Sequence, residues 1–357
     1  MQAQPQETSS VTLAAGTRLG NYQVVRLIGE GGMGAVYEGI HLAIGKKVAI
    51  KVMSPDLVAD PDARARFLRE AQLTSRVRHP HAVDVTDVGS EAGQTFLVME
   101  LLEGEDLASF IQWRGALPLE QAADVMLAVA AAVAAAHDEG IIHRDLKPHN
   151  IFLSQTRDGV IVPKVVDFGI SKGALDPHPG VVEPPPVMAP AVKTTVGLMG
   201  SPGYLAPEQI ERPQTASAAS DQYQLGLILY QCVTGRAPFG IDDDVTKIFG
   251  DILGGKRTPA GELRAGLPEG FQRIIDRTTS RDPAARFPSV RAMGKALLPF
   301  ATPKAALTLA RSFDDGEVSA VIPALPARRP RALALWIGAA VAVLAAVTAI
   351  AWALPWR

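Results

Sequence analysis

Hydrophobic and polar residues alternate over much of the first hundred positions. Residues 35–53, "AVYEGIHLAIGKKVAIKVM", show this alternation and are rich in β-branched residues, which predicts strands. The glycine-rich stretch "IGEGGMG" has strand-like sequence on both sides, so we expect it to form the tip of a hairpin. The pattern changes to helical spacing in "DARARFLREAQLTSRV", where Phe67, Glu70, Thr74 and Val77 share one face.

Two later apolar segments differ in length. Residues 125–136, "VMLAVAAAVAAA", are too few to cross a bilayer and are followed by Gly140 as a helix C-terminal signal, which predicts a core helix. Residues 332–354, "ALALWIGAAVAVLAAVTAIAWAL", carry no charge and span about 34 Å as a helix, enough for a hydrocarbon core of about 30 Å. Tryptophans stand near both ends, as is typical of membrane interfaces. This second segment is predicted to be a transmembrane helix.

The residues around the longer segment predict its orientation. Three arginines lie within residues 328–331 and only Arg357 follows the segment, so the preceding chain is expected in the cytoplasm. Residues 301–331 contain prolines and scattered charges without periodicity, which predicts a linker before the membrane. Residues 355–357 are expected to form a short tail on the far side. Residues 1–21 have no signal-peptide pattern and are expected to be a polar lead-in.

Composition excludes several classes of function. With 357 residues, 47% of them hydrophobic, the chain can bury a large core. The formal charge of −2, without a basic stripe, gives no reason to expect nucleic-acid binding. The single cysteine, Cys232, lies in an apolar stretch and is expected to be buried. None of the seven histidines has the spacing of zinc ligands.

Three glycines and a lysine point to a phosphate-binding hairpin. Gly29, Gly31 and Gly34 have G-x-G-x-x-G spacing, and a backbone without Cβ atoms can approach phosphate oxygens closely. A merely flexible hairpin would have the same glycines. Lys51 is a lone cation in the apolar strand "VAIKV" and needs an anionic partner. Glu70, on the inward face of the predicted helix, could pair with it; the alternatives are a snorkelling lysine and a surface glutamate.

Two further motifs occur later in the chain: "HRDLKPHN" at 143–150 and "VVDFG" at 165–169. Together with the glycine loop and Lys51, they resemble the protein kinase family in order and spacing. "GSPGYLAPEQ" and "SDQYQLGLILYQCVTGRAPF" are most similar to bacterial eukaryotic-type Ser/Thr kinases. The resemblance covers about residues 22–300. It implies an α+β, bilobal kinase fold, with a mainly antiparallel N-lobe at 22–99 carrying one helix and a mainly helical C-lobe at 103–300.

The resemblance assigns the polar residues of the first of these segments to phosphoryl transfer. It implies that Asp145 accepts the proton of the substrate hydroxyl and that Lys147 contacts the γ-phosphate. Asn150 and Asp167 are the implied magnesium ligands, and oxygen donors of this kind suit that ion. The cofactors are therefore ATP and Mg²⁺, with Mn²⁺ as a substitute.

The resemblance also implies the nucleotide contacts. Lys51, positioned by Glu70, would face the α and β phosphates beneath the glycine loop. Met99 takes the gatekeeper position, the backbone of Glu100 and Leu102 would bind adenine, and Asp106 would reach the ribose. The residues implied to enclose the adenine ring are apolar and could equally be ordinary core residues: Ile28, Val36, Ala49 and Phe152.

Other residues receive structural roles from the resemblance. His143 is expected to pack against Phe168 and not to act as a base. Glu208 is expected to form an ion pair with Arg286, and Asp221 is expected to brace the catalytic loop from below.

The segment between Asp167 and Glu208 carries an insert, "ALDPHPGVVEPPPVMAPAVK", with six prolines. Such a composition favours extended chain and fits either a flexible loop or a docking motif. Thr194 and Thr195 follow the insert. A phosphate on either could pair with Arg144, which precedes Asp145, so we expect autophosphorylation at Thr194 or Thr195.

The sequence thus predicts a membrane-anchored Ser/Thr protein kinase of bacterial signal transduction. It would sit in the cell membrane as a single-pass protein with its kinase domain in the cytoplasm, and its substrates would be proteins with Ser or Thr acceptors. The alternative is a pseudokinase scaffold that binds nucleotide without transfer. The small residues of "GAAVA" within 332–354 fit pairing of two chains into a homodimer and fit simple apolar filler equally.

Overall fold

The structure, a computed structural model, describes residues 13–31, 34–58, 60–91, 93–168, 202–240 and 244–314. The predicted transmembrane helix at 332–354 lies outside these residues, as do most of the linker, the proline-rich insert, Thr194 and Thr195. The backbone of Glu70 is described but its side chain is not.

The N-terminal lobe is built on a six-stranded antiparallel sheet with the order β1-β2-β3-β4-β6-β5. Its strands are β1 (Arg18–Leu19), β2 (Tyr22–Gly31), β3 (Gly34–His41), β4 (Lys47–Met53), β5 (Val85–Glu91) and β6 (Gln94–Glu100). Two helices lie between β4 and β5: α1 (Pro55–Val58) and α2 (Pro61–Thr74). The predicted glycine hairpin is confirmed, because β2 and β3 pair up to Gly31 and Gly34. The sequence predicted one helix in this lobe and missed the short α1.

Strand β4 shows how alternation in the sequence sorts side chains onto the two faces of the sheet. Val48, Ile50 and Val52 are buried in one apolar cluster on the first face. Successive side chains of a strand point to opposite faces, so Ala49 and Lys51 share the other face. Ala49 lines the cleft between the lobes, and Lys51 therefore lies on the cleft side of the sheet.

The C-terminal lobe is mainly helical. It has a small antiparallel sheet of β7 (Gly104–Asp106), β8 (Ile151–Gln155) and β9 (Ile161–Val165). Its helices are α3 (Leu107–Arg114), α4 (Leu119–Asp138), α5 (Pro207–Glu211), α6 (Ala218–Thr234), α7 (Val245–Gly254), α8 (Ala260–Leu263), α9 (Glu269–Thr278), α10 (Val290–Leu297) and α11 (Pro303–Leu309). Helices α4 and α6 pass through the main apolar cluster, and 13 of the 20 residues of α4 and 13 of the 17 residues of α6 are buried. This lobe supplies the rigid support for the loops of the site.

Helix α4 is the core helix that the sequence predicted around residues 125–136. It is long and apolar enough to meet the length and composition criteria for a membrane span, but 72% of its most apolar window is buried inside the protein. Eight of its buried positions are alanines, and small side chains let neighbouring helices approach closely: Ala122, Ala123, Ala128, Ala130, Ala131, Ala132, Ala134 and Ala136. Gly140 follows the helix with φ 73°, the left-handed conformation expected after a C-terminus.

The packed structure extends beyond two of the predicted boundaries. Leu19 of β1 is buried in the core of the N-terminal lobe, so the lobe begins before residue 22 and part of the predicted lead-in at 1–21 belongs to it. Residues 303–313 form α11 and a helical turn, and Phe313 is buried against the C-terminal lobe. The backbone and hydroxyl of Thr302 also donate hydrogen bonds to Asp124, at 2.8 and 2.7 Å. The predicted linker at 301–331 therefore does not start at residue 301.

Candidate active site

A cleft of about 810 Å³ lies between the two lobes. Nine of the predicted nucleotide contacts line it: Ile28, Gly29, Val36, Ala49, Met99, Glu100, Leu102, Asp106 and Phe152. Asp167, a predicted metal ligand, lines it as well. The structure thus gathers residues from β2, β3, β4, β6 and β8 around one cavity whose apolar walls can enclose a flat ring.

The glycine hairpin forms the roof of this cleft. Gly34 has φ 142°, and a Cβ atom there would overlap the carbonyl oxygen of Val52, so only glycine fits this position. A Cβ atom added at Gly29 or Gly31 would meet no atom within 4 Å. The chain itself therefore needs Gly34, whereas Gly29 and Gly31 leave open space in which phosphate oxygens can approach the backbone.

Lys51 is paired with Asp167 across the cleft. Its Nζ lies 2.7 Å from Asp167 Oδ1, and the ammonium is largely buried. Burial alone would raise the pKa of Asp167, but the charge and hydrogen bond of Lys51 outweigh it and hold that pKa below its usual value. Asp167 is therefore ionised at neutral pH and able to bind a cation. The predicted pairing of Lys51 with Glu70 involves a side chain outside the described residues.

Three of the predicted site residues lie together in one loop: Asp145, Lys147 and Asn150. Lys147 Nζ is 3.1 Å from Asp145 Oδ2. The amide nitrogen of Asn150 donates to the carbonyl oxygen of Asp145 at 2.8 Å and lies 3.4 Å from Asp145 Oδ2. Because the nitrogen of Asn150 is turned toward Asp145, its amide oxygen is the atom that remains for a metal ion.

The two predicted metal ligands are brought together by their backbones. The amide of Val166 donates to the carbonyl oxygen of Asn150 at 2.9 Å, so Asp167 follows directly after a contact with the catalytic loop. The ring of His143 packs against Phe168 with centroids 4.9 Å apart, as predicted. Burial lowers the pKa of His143, and its Nε2 donates to the carbonyl oxygen of Val166 at 3.3 Å. His143 is thus a neutral structural residue.

Asp221 braces the catalytic loop, as predicted. Its two carboxylate oxygens accept hydrogen bonds from the backbone amides of His143 at 2.8 Å and Arg144 at 2.7 Å. His137 contributes a third contact at 2.8 Å. Asp221 is fully buried at the start of α6, so the loop is anchored to the rigid centre of the C-terminal lobe.

A family model described as the protein kinase domain matches residues 22–297. The chain belongs to the protein kinase family. That match covers most of the described structure, and it includes the glycine hairpin, Lys51, the catalytic loop and Asp167. The resemblance inferred from the sequence is therefore confirmed at the level of the family.

Curated relatives include bacterial kinases. The chain is 34% identical over 275 residues to the serine/threonine-protein kinase PknH of Mycobacterium bovis, covering 77% of this chain and 43% of PknH. It is 36% identical over 278 residues to the serine/threonine-protein kinase PknA of Mycobacterium tuberculosis, covering 76% of this chain and 59% of PknA. The chain thus spans about half the length of these relatives.

Solved kinase structures share the fold. The kinase domain of PknI from Mycobacterium tuberculosis superposes with a TM-score of 0.60 at 27% identity, covering 82% of this chain and all of that domain. Rad53 in complex with AMP-PNP has a TM-score of 0.61 at 23% identity, covering 79% of this chain and 66% of Rad53. At that identity the second likeness concerns the fold alone.

The predicted ion pair of Glu208 with Arg286 is present. The guanidinium contacts both carboxylate oxygens, at 2.7 and 2.8 Å, and Arg286 is fully buried. Burial alone would raise the pKa of Glu208, but the hydrogen bonds and charge of Arg286 lower it overall. Glu208 ends the segment that begins at Asp167, so the pair fixes the end of that segment to the helical lobe.

One residue at the cleft was missed by the sequence reasoning. Lys164 of β9 forms a 2.6 Å ion pair with Glu100, whose carboxylate also accepts from the backbone amide of Asp84. A cation in the apolar strand "IVPKV" carries the same signal that marked Lys51. Asp106, predicted to reach the ribose, uses its carboxylate to cap α3 through the amides of Ala108 and Ser109, at 2.9 and 3.0 Å.

Proposed function

We propose that this chain is an active Ser/Thr protein kinase, which transfers the γ-phosphate of ATP to Ser or Thr hydroxyls of proteins. The observation that carries the proposal is the convergence of the Lys51–Asp167 pair with the Asp145–Lys147–Asn150 loop beside one cleft. Phosphoryl transfer needs alignment and charge neutralisation more than covalent chemistry, and these are the groups that supply both. A pseudokinase would not need the complete set.

The residues fit ATP and a divalent metal ion. Asn150 and Asp167 offer an amide and a carboxylate oxygen, the donor types that magnesium prefers, and the lowered pKa of Asp167 keeps its carboxylate ionised. Bound with its metal, ATP supplies the transferable phosphoryl group. Among the described residues no cluster of three or more His, Cys, Asp or Glu side chains could hold a metal ion.

Each residue of the site has a distinct role in phosphoryl transfer. Lys51 offers its ammonium to phosphate oxygens and is fixed by Asp167 at 2.7 Å. Asp145 orients the incoming hydroxyl and takes its proton, while Lys147, 3.1 Å from it, offers a positive charge to the transferring group. The backbone of Glu100 and Leu102 binds the adenine edge, and Ile28, Val36, Ala49, Met99 and Phe152 exclude water from the ring.

Acceptor analysis tests the Ser/Thr assignment. The purified protein is incubated with magnesium ATP and a generic basic protein, and the products are mapped by mass spectrometry. The proposal expects phosphoserine and phosphothreonine on the substrate, none of it formed by Asp145→Asn. Equal incorporation by that variant would point to a contaminating enzyme and to the scaffold function instead.

Mapping the phosphorylated residues of the kinase itself by mass spectrometry tests whether the segment after Asp167 regulates activity. We expect phosphate on Thr194 or Thr195, because a phosphate there can pair with Arg144 and order the segment. Alanine at both positions should lower the rate of substrate phosphorylation and leave the affinity for ATP unchanged. Full activity of the double variant would refute the regulatory role.

The proposed location is the cell membrane, with the kinase domain in the cytoplasm. The uncharged run at 332–354 and the arginines before it support this location. Cell fractionation should recover the full chain in carbonate-washed membranes and a chain ending at residue 320 in the soluble fraction. If the small residues of the run pair two helices, the full chain will also migrate as a homodimer in mild detergent.

A further inference from the structure

The backbone beside the catalytic aspartate has an unfavourable conformation. Arg144, which directly precedes Asp145, has φ 67°, in the left-handed region that residues with side chains seldom adopt. Such a conformation persists only where the surroundings enforce it. Asp221 holds the amide of Arg144 at 2.7 Å, which fixes one side of this residue. The other side is fixed by groups that the kinase resemblance did not assign.

Two buried glutamines hold the peptide between Arg144 and Asp145. The carbonyl oxygen of Arg144 accepts hydrogen bonds from Gln209 Nε2 at 3.0 Å and from Gln224 Nε2 at 3.2 Å. The Oε1 atom of Gln224 accepts from the amide of Leu146 at 2.9 Å. Gln224 is 1% exposed and Gln209 is 9% exposed, so water does not compete strongly for these bonds.

These contacts bear on Asp145 itself. The carbonyl of Arg144 and the amide of Asp145 belong to one planar peptide, so holding the oxygen sets the orientation of the whole unit. Gln224 also holds the amide of Leu146, on the other side of Asp145. The backbone of Asp145 is therefore gripped from both sides by a single side chain, which leaves the carboxylate little freedom to leave the transfer geometry.

Gln209 connects this grip to the segment that ends at Glu208. It lies in α5, its Oε1 accepts from the amide of Ala206 at 3.0 Å, and Gln224 Nε2 lies 3.1 Å from the same oxygen. Ala206, Gln209, Gln224 and Arg144 thus form one hydrogen-bonded network. It ties the end of that segment to the peptide before Asp145.

We propose that Gln224 and Gln209 are positioning residues for phosphoryl transfer, which set the orientation of Asp145 by holding the Arg144–Asp145 peptide. The inference rests on the proposed kinase activity. Neither glutamine touches the reacting groups, so their loss should lower the turnover rate and leave ATP binding in the cleft unchanged.

The chain offers a matched control on the same helix. Gln222 is also 1% exposed and also makes two bonds to one stretch of backbone, donating to Phe287 O at 3.0 Å and accepting from Phe287 N at 2.8 Å. Its bonds lie away from the catalytic loop. Methionine has nearly the size and flexibility of glutamine without its polar groups, so Gln222→Met and Gln224→Met should cost similar stability.

The experiment compares wild type, Gln224→Met, Gln209→Met and Gln222→Met in four measurements. These are kcat, KM for ATP, the melting temperature, and hydrogen–deuterium exchange of the peptide covering residues 143–147. We expect kcat to fall about ten- to hundred-fold in Gln224→Met with KM for ATP unchanged, since small misplacements cost this much. Gln209→Met should lower kcat in the same direction. Gln222→Met should keep kcat within twofold.

Hydrogen–deuterium exchange tests the positioning role independently of kinase activity. The amide of Leu146 is protected by Gln224, so exchange of the 143–147 peptide should quicken in Gln224→Met and stay at the wild-type rate in Gln222→Met, whether or not the chain transfers phosphate. An inactive wild type would refute the kinase proposal alone. If Gln224→Met and Gln222→Met lose equal activity, or if exchange of this peptide is the same in both, the positioning role is refuted.

Discussion

At the scale of single residues, ion pairs set the ionisation and the position of the carboxylates in the site. The ammonium of Lys51 lowers the pKa of Asp167, which lines the cleft, and so keeps its carboxylate ionised. In the catalytic loop, Lys147 Nζ lies 3.1 Å from Asp145 Oδ2. The backbone of this loop is held by its neighbours, above all by Asp221, which accepts hydrogen bonds from the amides of His143 and Arg144.

Lys51→Met should change both rate and pH dependence. Without the ammonium, the pKa of Asp167 rises, because desolvation is then no longer offset by an opposite charge. The carboxylate is needed in its ionised form, so the acid limb of the pH–kcat/KM profile should move to higher pH. At neutral pH we expect a loss of about 10²–10³ in kcat, the usual effect of removing one preorganised charge or donor. An unchanged acid limb would show that Asp167 does not depend on Lys51.

The ion pair of Glu208 with Arg286 should dominate the stability of its region. Arg286→Met leaves a largely buried carboxylate without its partner, which typically costs about 3–5 kcal/mol of unfolding free energy. Arg281 and Glu211 form an exposed pair 3.3 Å apart, so Arg281→Met should cost at most about 1 kcal/mol. Urea titrations of both variants check the difference, and equal losses would contradict the role given to the buried pair.

At the scale of elements, the sequence predicted most of the helices and strands but missed short elements near the two ends of the described chain. Alternation along β4 and helical spacing along α2 predicted both elements. Strand β1 has only two residues, too few for any period, and α11 is a short helix in a segment that also contains prolines. Strand β1 is held by its pairing with β2, and residues 303–313 pack against Gly294 of α10; the local pattern reveals neither contact.

The docking of residues 303–313 depends on Gly294 in α10. A Cβ atom at this glycine would overlap the ring of Phe313, which is 1% exposed. We therefore expect Gly294→Ala to lower the free energy of unfolding by about 1–3 kcal/mol, because the ring must move. Gly250→Ala is the control: this exposed helical glycine has no atom within 4 Å of an added Cβ, and alanine there should add about 0.5–1 kcal/mol.

Combining Gly294→Ala with Phe313→Ala tests the mechanism. If the loss arises from the overlap, the alanine at 294 should cost much less once the ring is gone, so the two effects should not add. Additive losses would contradict the proposed contact.

At the scale of the whole molecule, the site exists because rigid helices hold loops from both lobes. The set of catalytic residues could be read from the sequence since the motifs are short and contiguous. The glutamine network could not, because Gln209 and Gln224 lie 65 and 80 positions from Arg144 and have no pattern of their own. The hydrogen bonds of this network form only when α5, α6 and the catalytic loop are packed together.

The partly buried His79 should make the fold sensitive to mild acid. Burial, helped by the positive charges of His81, Arg291 and Lys164, lowers the pKa of His79 to about 4. Between pH 6.5 and 4 the unfolded chain binds a proton at this residue that the folded chain does not, so stability falls as the pH falls through that window. The slope from one such group is at most about 1.4 kcal/mol per pH unit.

Urea titrations from pH 7.5 to 4.5 measure this effect. The free energy of unfolding should fall with pH below 6.5, and His79→Asn, which keeps an acceptor for the amide of His81, should fall less steeply. Parallel curves for wild type and variant would contradict the assignment to His79.

The most direct test of the account concerns Asp145. Initial rates of phosphate transfer from radiolabelled ATP are compared for wild type and Asp145→Asn, with the affinity for magnesium ATP measured on the same samples by calorimetry. The account predicts that asparagine leaves nucleotide binding within about twofold and lowers kcat by about 10²–10⁴, the contribution of a positioned base. Wild-type turnover in the variant, or no heat of nucleotide binding in either protein, would contradict it.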